Sequence, residues 1–132
     1  MAKKRKPVLK AFVLCNDIRQ HTDKTRVDLF GAGLSVIRSV LTPPFPCKQS
    51  FWVYLLVNDE KEEGRARLAI MRADSGIRYF FPEISIKYQD PIIPAKKAIR
   101  VFNVVFPQKG VYFVELWYDG EWLLDNRLEL EG

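Results

Sequence analysis

The stretch that decides the fold is Val104-Val-Phe-Pro-Gln-Lys-Gly-Val-Tyr-Phe-Val-Glu-Leu-Trp-Tyr-Asp-Gly-Glu-Trp-Leu-Leu-Asp-Asn-Arg-Leu-Glu-Leu130. Two runs of alternating apolar and polar residues flank the dipeptide Asp119-Gly120. This dipeptide favours a type I′ turn, because both central residues of such a turn need positive φ. The pattern therefore predicts a β-hairpin at this end of the chain.

The faces of the hairpin follow from its charges, all of which have odd residue numbers. Side chains alternate between the two faces of a strand, so we expect the even-numbered side chains to be buried. They are Tyr112, Val114, Leu116 and Tyr118 on the first strand, and Trp122, Leu124, Leu128 and Leu130 on the second. An isolated hairpin is marginal in water, and this apolar face therefore needs a second sheet to cover it.

The rest of the chain repeats the same kind of signal. Short apolar or alternating runs are separated by turn residues, and no segment shows a sustained helical period. The 132 residues are enough for one domain. We predict an all-β fold: a single antiparallel β-sandwich of about eight strands, immunoglobulin-like in the broad sense, over residues 8–132 and without a long helix.

The positive charge is concentrated at the start of the chain. The formal net charge is +5, and Lys3, Lys4, Arg5 and Lys6 account for four of the 21 basic residues. The rest of the chain contains 17 basic and 16 acidic residues, so it is nearly neutral. Residues 1–7 are predicted to be a disordered basic arm, which either keeps the protein soluble or binds a polyanion.

The two cysteines, Cys15 and Cys47, are predicted to be buried free thiols. The sequence shows no run of apolar residues long enough to span a bilayer and no signal-peptide core. We therefore expect a soluble, cytoplasmic protein.

Three segments resemble a family of small, uncharacterised bacterial proteins that share a domain of unknown function. They are Leu14-Cys-Asn-Asp-Ile-Arg19, Pro44-Phe-Pro46 before Phe51-Trp-Val-Tyr54, and Phe106-Pro-Gln-Lys-Gly-Val-Tyr112 leading to Glu115-Leu-Trp-Tyr-Asp-Gly120. The resemblance covers most of the chain after the basic arm. It implies a bacterial single-domain sandwich and carries over no catalytic or ligand-binding residue.

The residues that usually carry catalysis are few. His21 is the only histidine and lies in a polar segment, and no serine stands in a nucleophile-elbow motif. Zinc ligation by Cys15, Cys47 and His21 lacks a preorganising spacing. The acidic segment Asn58–Glu63 is interrupted by Lys61 and is expected to be a solvated hairpin tip rather than a calcium site. We predict no enzyme activity and no cofactor.

Four aromatic residues are the candidate binding residues. Phe113 and Trp117 lie on the Glu115 side of their strand, away from the predicted core, and Trp52 and Tyr54 share one parity on another strand. If the two strands belong to one sheet, the four rings form an exposed patch that another protein, or a second copy of this one, would bind. The alternative is that the segment Asp90–Lys97 covers them.

Two functions are therefore expected. The first is a non-catalytic protein-interaction or assembly module that uses Trp52, Tyr54, Phe113 and Trp117. The alternative is polyanion binding, nucleic acid included, through Lys3, Lys4, Arg5 and Lys6, supported by Arg65, Arg67 and Arg72 on the outer side of one strand.

Overall fold

The structure is a computed structural model that describes residues 7–20, 27–34, 36–38, 46–59, 62–88 and 93–131. Eleven strands and no helix lie in these ranges. In chain order the strands are β1 (Val8–Cys15), β2 (Asp17–Gln20), β3 (Val27–Phe30), β4 (Val36–Arg38), β5 (Cys47–Asn58), β6 (Glu63–Arg72), β7 (Arg78–Phe80), β8 (Ile84–Lys87), β9 (Ala95–Phe106), β10 (Gly110–Tyr118) and β11 (Glu121–Glu131). The described part of the chain thus contains no apolar helix of membrane-spanning length.

The strands form two main layers. One is a three-stranded sheet in the order β1-β5-β9, and the other is a six-stranded sheet in the order β4-β11-β10-β6-β7, with β8 also paired to β6. A small sheet of β2 and β3 stands beside them. The predicted all-β sandwich is confirmed. Its antiparallel character has one exception among the described pairs, because β4 runs parallel to β11.

The strand count exceeds the expected eight for local reasons. Two of the short strands, β3 and β4, are close in sequence, and the glycines between them have positive φ. The chain from Ile77 to Tyr88 is interrupted at Pro82, and it forms β7 and β8, which both pair with β6. Proline removes a backbone donor, which explains why one continuous strand does not form.

The core is formed by the facing sides of the two sheets. Val53 and Leu55 of β5 meet Val114 and Leu116 of β10 in one cluster, and these four side chains are at most 1% exposed. Ala66, Leu68 and Ile70 of β6 are buried in the same cluster. Burying each large aliphatic side chain contributes about 1.5–3 kcal/mol, so the two central strands dominate the stability of the fold.

The C-terminal hairpin has the predicted turn but not the predicted faces throughout. Asp119 and Gly120 both have positive φ, as the turn requires. Leu116 pairs with Leu124 while Trp117 pairs with Trp122, so Leu123 is an extra residue in β11. This β-bulge reverses the alternation between it and the turn. The prediction that Trp122 is buried is therefore wrong: Trp122 lies on the outer face with Trp117 and is 50% exposed.

A buried chain of hydrogen bonds joins the layers at one end of the sandwich. The Tyr118 hydroxyl donates to Oδ2 of Asp59, the residue that follows β5, at 2.7 Å. The Tyr88 and Tyr118 hydroxyls are 2.8 Å apart. The expectation that the Asn58–Glu63 segment is fully solvated is corrected here, because Asp59 is only 5% exposed.

The backbone of Gly64 gives the Tyr118 ring its space. A Cβ at position 64 would overlap the Tyr118 hydroxyl and the ring carbon that carries it. We expect Gly64→Ala to lower the free energy of unfolding by about 1–3 kcal/mol, as overpacking of a core does. Urea unfolding measures this change. The neighbouring exposed change Arg65→Ala is the control and should stay within about 0.5 kcal/mol; equal losses in both variants would show that the overlap with Tyr118 is not the cause.

Candidate functional site

The structure separates the four predicted aromatic residues into two pairs. Trp52 and Tyr54 lie on β5 in the three-stranded sheet, and Phe113 and Trp117 lie on β10 in the six-stranded sheet. All four are partly exposed. The condition for a single aromatic patch, that β5 and β10 share a sheet, is not met. The pairs point away from the core on opposite sides of the sandwich.

Trp117 is covered by β7. The Phe80 ring packs edge-on against Trp117 with centroids 5.4 Å apart, and the Arg78 guanidinium lies 5.9 Å from the Trp117 centroid. The sequence alternative assigned the cover to the segment Asp90–Lys97. Residues 90–92 of that segment lie outside the described residues, and Ala95–Lys97 belong to β9.

Glu115 is the anchor of this aromatic cluster. Its side chain is on the outer face yet only 1% of the residue is exposed, which corrects the expectation that the charges of this face are solvated. Arg78 Nε donates to Glu115 Oε1 at 2.9 Å, and Trp117 Nε1 donates to the same oxygen at 3.2 Å. A buried carboxylate needs such partners to offset its desolvation. These contacts account for Glu115 as a structural residue.

A concave surface lies between the edges of the two sheets. A cleft of about 460 Å³ opens beside the core. One wall is formed by Ile77, Tyr79 and Phe81. The other wall is formed by residues 102–107, which are the end of β9 and the proline that follows it. Arg72 and Tyr112 lie at the base. Four of its apolar side chains are more than half exposed, namely Ile77, Tyr79, Phe102 and Val105.

The cleft continues along β9. A second cavity of about 220 Å³ is lined by Phe81, Pro82 and Ile84 on one side and by Ile99–Val101 on the other. Phe81 contributes to both cavities. We call this elongated feature the edge groove: the space between β9 with Pro107 and the segment from Ile77 to Ile84. Its shape is extended along a strand rather than closed around one compact volume.

Both walls of the edge groove are sheet edges. Among the described strands β9 pairs only with β5, and β7 pairs only with β6. Each edge strand therefore has one side without a neighbouring strand, and such edges can pair with an added strand. A bulge reshapes the β9 edge at Asn103, whose φ is 51° and whose N–H donates to Ser50 Oγ at 2.9 Å.

The other predicted residues have varied outcomes. Cys15 and Cys47 are confirmed as buried free thiols, and burial raises the pKa of the Cys15 thiol. The arm residues Lys3, Lys4, Arg5 and Lys6 and the lone His21 lie outside the described residues. Within the described ranges, no three histidine, cysteine or acidic residues are grouped as metal ligands.

The prediction that Arg65, Arg67 and Arg72 all lie on the outer side of their strand is wrong for Arg72. Arg65 and Arg67 have the outer parity, with Arg67 5.1 Å from the Phe80 ring. Arg72 has the opposite parity, which it shares with Ala66, Leu68 and Ile70, and it lines the edge groove. Its guanidinium pairs with Asp74 at 2.9 Å.

The sequence gives no direct indication of the edge groove. Ile77 and Tyr79 are ordinary strand residues, and their exposure depends on β7 being at a sheet edge. Only the arrangement of the two sheets brings them opposite Phe102 and Val105. The available sequence signal is the pair of prolines, Pro82 and Pro107, which end strands near this side of the sandwich.

Comparison with known proteins gives a similarity in structure but none in sequence. No protein family model and no curated protein matches the sequence. Among solved structures, the chain is similar to the Pseudomonas fluorescens alkylpurine DNA glycosylase AlkC bound to DNA containing an abasic site analog, with a TM-score of 0.50 and 17% sequence identity. The match covers 74% of this chain but 28% of the glycosylase chain. It shows a similar fold, and the family resemblance drawn from the sequence stays a prediction.

The buried tyrosines make stability sensitive to alkaline pH. Burial, and then the hydrogen bonds to Tyr88 and Asp59, raise the pKa of Tyr118 far above its ordinary value of 10.0. A raised pKa contributes stability that is fully present below pH 10 and is lost as pH rises further, because the unfolded chain ionises first. Above pH 10, the free energy of unfolding should therefore fall less steeply with pH in Tyr118→Phe, by about 1.4 kcal/mol per pH unit.

Urea unfolding at a series of pH values above 10 measures that slope. Burial also raises the pKa of Tyr88 and Tyr112, so part of the slope should remain in the Tyr118→Phe variant. Tyr79→Phe, at an exposed position, is the matched control and should leave the slope as it is. A slope that is the same in all three proteins would rule out Tyr118 as a contributor.

Proposed function

We propose that this domain is a non-catalytic interaction module that binds an extended segment of another protein in the edge groove. The observation that carries the proposal is the row of exposed apolar side chains along the groove, formed by Ile77, Tyr79, Phe102 and Val105. Apolar surface of this kind on a protein marks a partner site. The groove replaces the four-residue aromatic patch as the binding surface.

The shape of the groove favours an extended peptide. The two cavities follow β9 from Ile99 to Pro107, the direction that a bound strand would take. A peptide also brings backbone N–H and C=O groups, which can pair with a sheet edge while alternate side chains enter the pockets. A compact small molecule offers apolar area but not that repeating set of donors and acceptors.

The remaining parts of the proposal come from the sequence. They are an immunoglobulin-like sandwich, a bacterial origin, a cytoplasmic location and the absence of enzyme activity and cofactors. The free thiols of Cys15 and Cys47 support a reducing compartment. The internal hydrogen bonds and ion pair of Tyr118 and Glu115 support structural rather than catalytic roles for these buried groups.

Peptide selection tests the groove. A phage-displayed library of random linear peptides should yield binders with apolar residues at alternate positions. We expect the double change Ile77→Ser and Tyr79→Ser to weaken a selected peptide at least about fivefold, because each lost apolar contact contributes on the order of 1 kcal/mol. Both side chains are exposed, so the fold should be retained.

The matched control is Trp122→Ser, which removes an exposed aromatic residue from the outer face of the same sheet. It should leave the peptide affinity unchanged. If the control weakens binding as much as the groove variant, or if the groove variant binds normally, the groove is not the site. Light scattering tests self-association. If the wild type is a dimer and the groove variant is a monomer, a second copy of the protein occupies the groove instead of a peptide.

The second candidate function is nucleic-acid binding through the basic arm Lys3–Lys6. It is supported by the charge of the arm and by the occurrence of a similar fold in a glycosylase structure that contains DNA. Contacts with phosphates would make the affinity strongly dependent on salt, whereas an apolar groove would not show this dependence.

Neutralising the arm tests this candidate in the full-length chain. A variant with Lys3→Gln, Lys4→Gln, Arg5→Gln and Lys6→Gln should bind a DNA duplex more weakly than the wild type in a fluorescence anisotropy titration. The slope of log affinity against log salt should become shallower by up to about 3.6, for four lost contacts with duplex phosphates. An unchanged slope would show that the arm does not contact the duplex.

A further inference from the structure

The two main sheets differ in the signs of the charges that their strands carry. Strands β1, β5 and β9 of the three-stranded sheet contain five basic residues and no acidic residue. The basic residues are Lys10, Lys48, Lys96, Lys97 and Arg100. The strands of the six-stranded sheet carry both signs, with six acidic and seven basic residues. The nearly neutral body of the protein therefore has one sheet with charge of a single sign.

The outer face of the three-stranded sheet combines this charge with aromatic rings. In the register of the sheet, Trp52 lies between Cys15 and Arg100, and Tyr54 lies between Val13 and Ala98. Both rings are partly exposed. The Arg100 guanidinium is 4.7 Å from the centroid of Phe102, which is 59% exposed. Lys48 is exposed near the start of β5, and Lys96 is exposed opposite Leu56, near the other end of that strand.

We propose that this face binds single-stranded nucleic acid. Trp52 and Tyr54 would stack on unpaired bases, and Lys48, Lys96 and Arg100 would contact phosphates. Two residues on one face of a strand are separated by about 6.6 Å, so the two rings can serve adjacent bases of an extended strand. Aromatic side chains within a basic surface are the general means of binding single strands.

Protection of a sheet edge accounts for only part of the charge pattern. Lysines on an edge strand discourage unwanted strand pairing, which explains Lys96 and Lys97 on β9. This role can also explain Lys48, which pairs with Val105 of β9 but lies before Trp52, where the described pairing of β1 with β5 begins. It does not explain the absence of acidic residues from the three strands. A second copy placed on this face would bring like charges together, and a duplex would keep its bases out of reach of Trp52 and Tyr54.

The proposal goes beyond the groove function and can fail separately from it. Trp52, Tyr54 and Lys48 do not line either cavity of the edge groove. Phe102 and Arg100 border both surfaces and therefore do not distinguish them alone. The groove variant Ile77→Ser with Tyr79→Ser is accordingly a matched control for this face.

Fluorescence anisotropy with labelled oligo(dT) and oligo(U) tests the proposal in the full-length chain. Three phosphate contacts predict a salt slope of about −2.1, a roughly eighteenfold loss of affinity between about 50 and 200 mM salt. Lys48→Glu with Arg100→Glu should reduce the slope to about −0.7. Trp52→Leu should weaken binding at least about fivefold at constant charge, and Trp52→Phe should restore it, because only an aromatic ring stacks.

Three results would overturn the proposal. The first is no binding of either oligonucleotide at low salt. The second is binding that survives the Lys48 and Arg100 changes but is lost when the arm lysines and Arg5 are changed to glutamine. The third is equal affinity for heparin and single strands with no effect of Trp52→Leu, which would indicate attraction of any polyanion. Stronger binding to oligo(dT) or to oligo(U) identifies the preferred strand, and its loss in Trp52→Leu supports the stacking surface.

Discussion

The structure depends on the burial of one face of β5 against one face of β10. Each is a central strand with a neighbour on both sides, and the residues that the two strands contribute to the core cluster are at most 5% exposed. Val53 and Leu55 from one sheet and Val114 and Leu116 from the other exclude water from the space between the layers. The bond from Tyr118 to Asp59 then joins the layers where the apolar contacts end. A buried donor and acceptor that satisfy each other fix the alignment of the layers, because a shift would leave both unsatisfied.

The two sheets differ in size, and this difference produces the candidate surfaces. Three strands cannot cover all of a six-stranded sheet, so the region beside β7 is left open next to β9. The apolar residues of the edge groove are thus a consequence of the architecture. The outer face of the larger sheet has the opposite character, because the ion pair of Glu115 with Arg78 and the ring contact of Phe80 with Trp117 use its polar and aromatic groups internally.

Charge distribution follows from the same two-layer arrangement. The strands of the larger sheet carry charges of both signs, with the acidic residues mainly on β11, while the charged residues on the three strands of the smaller sheet are all basic. Because interactions between exposed charges are screened within about 10 Å, a partner at one sheet experiences mainly the charge of that sheet. The net charge of the chain therefore says little about either face, and each face can serve a different class of partner.

The sequence by itself determined the class of fold, the hairpin turn and most of the core, because alternation and turn chemistry are local properties of a strand. Tyr112, Leu116 and Leu128 are buried as their parity requires. The sequence could not show on which face Trp122 lies. The single extra residue at Leu123 reverses the alternation of faces, and only the pairing with β10 reveals this bulge. The sequence also could not show that Trp52 and Trp117 lie in different sheets, or that Ile77 faces Phe102 across a groove. Those relations are set by which strands become neighbours, a choice made by burial of the whole apolar surface, and only the tertiary structure decided them.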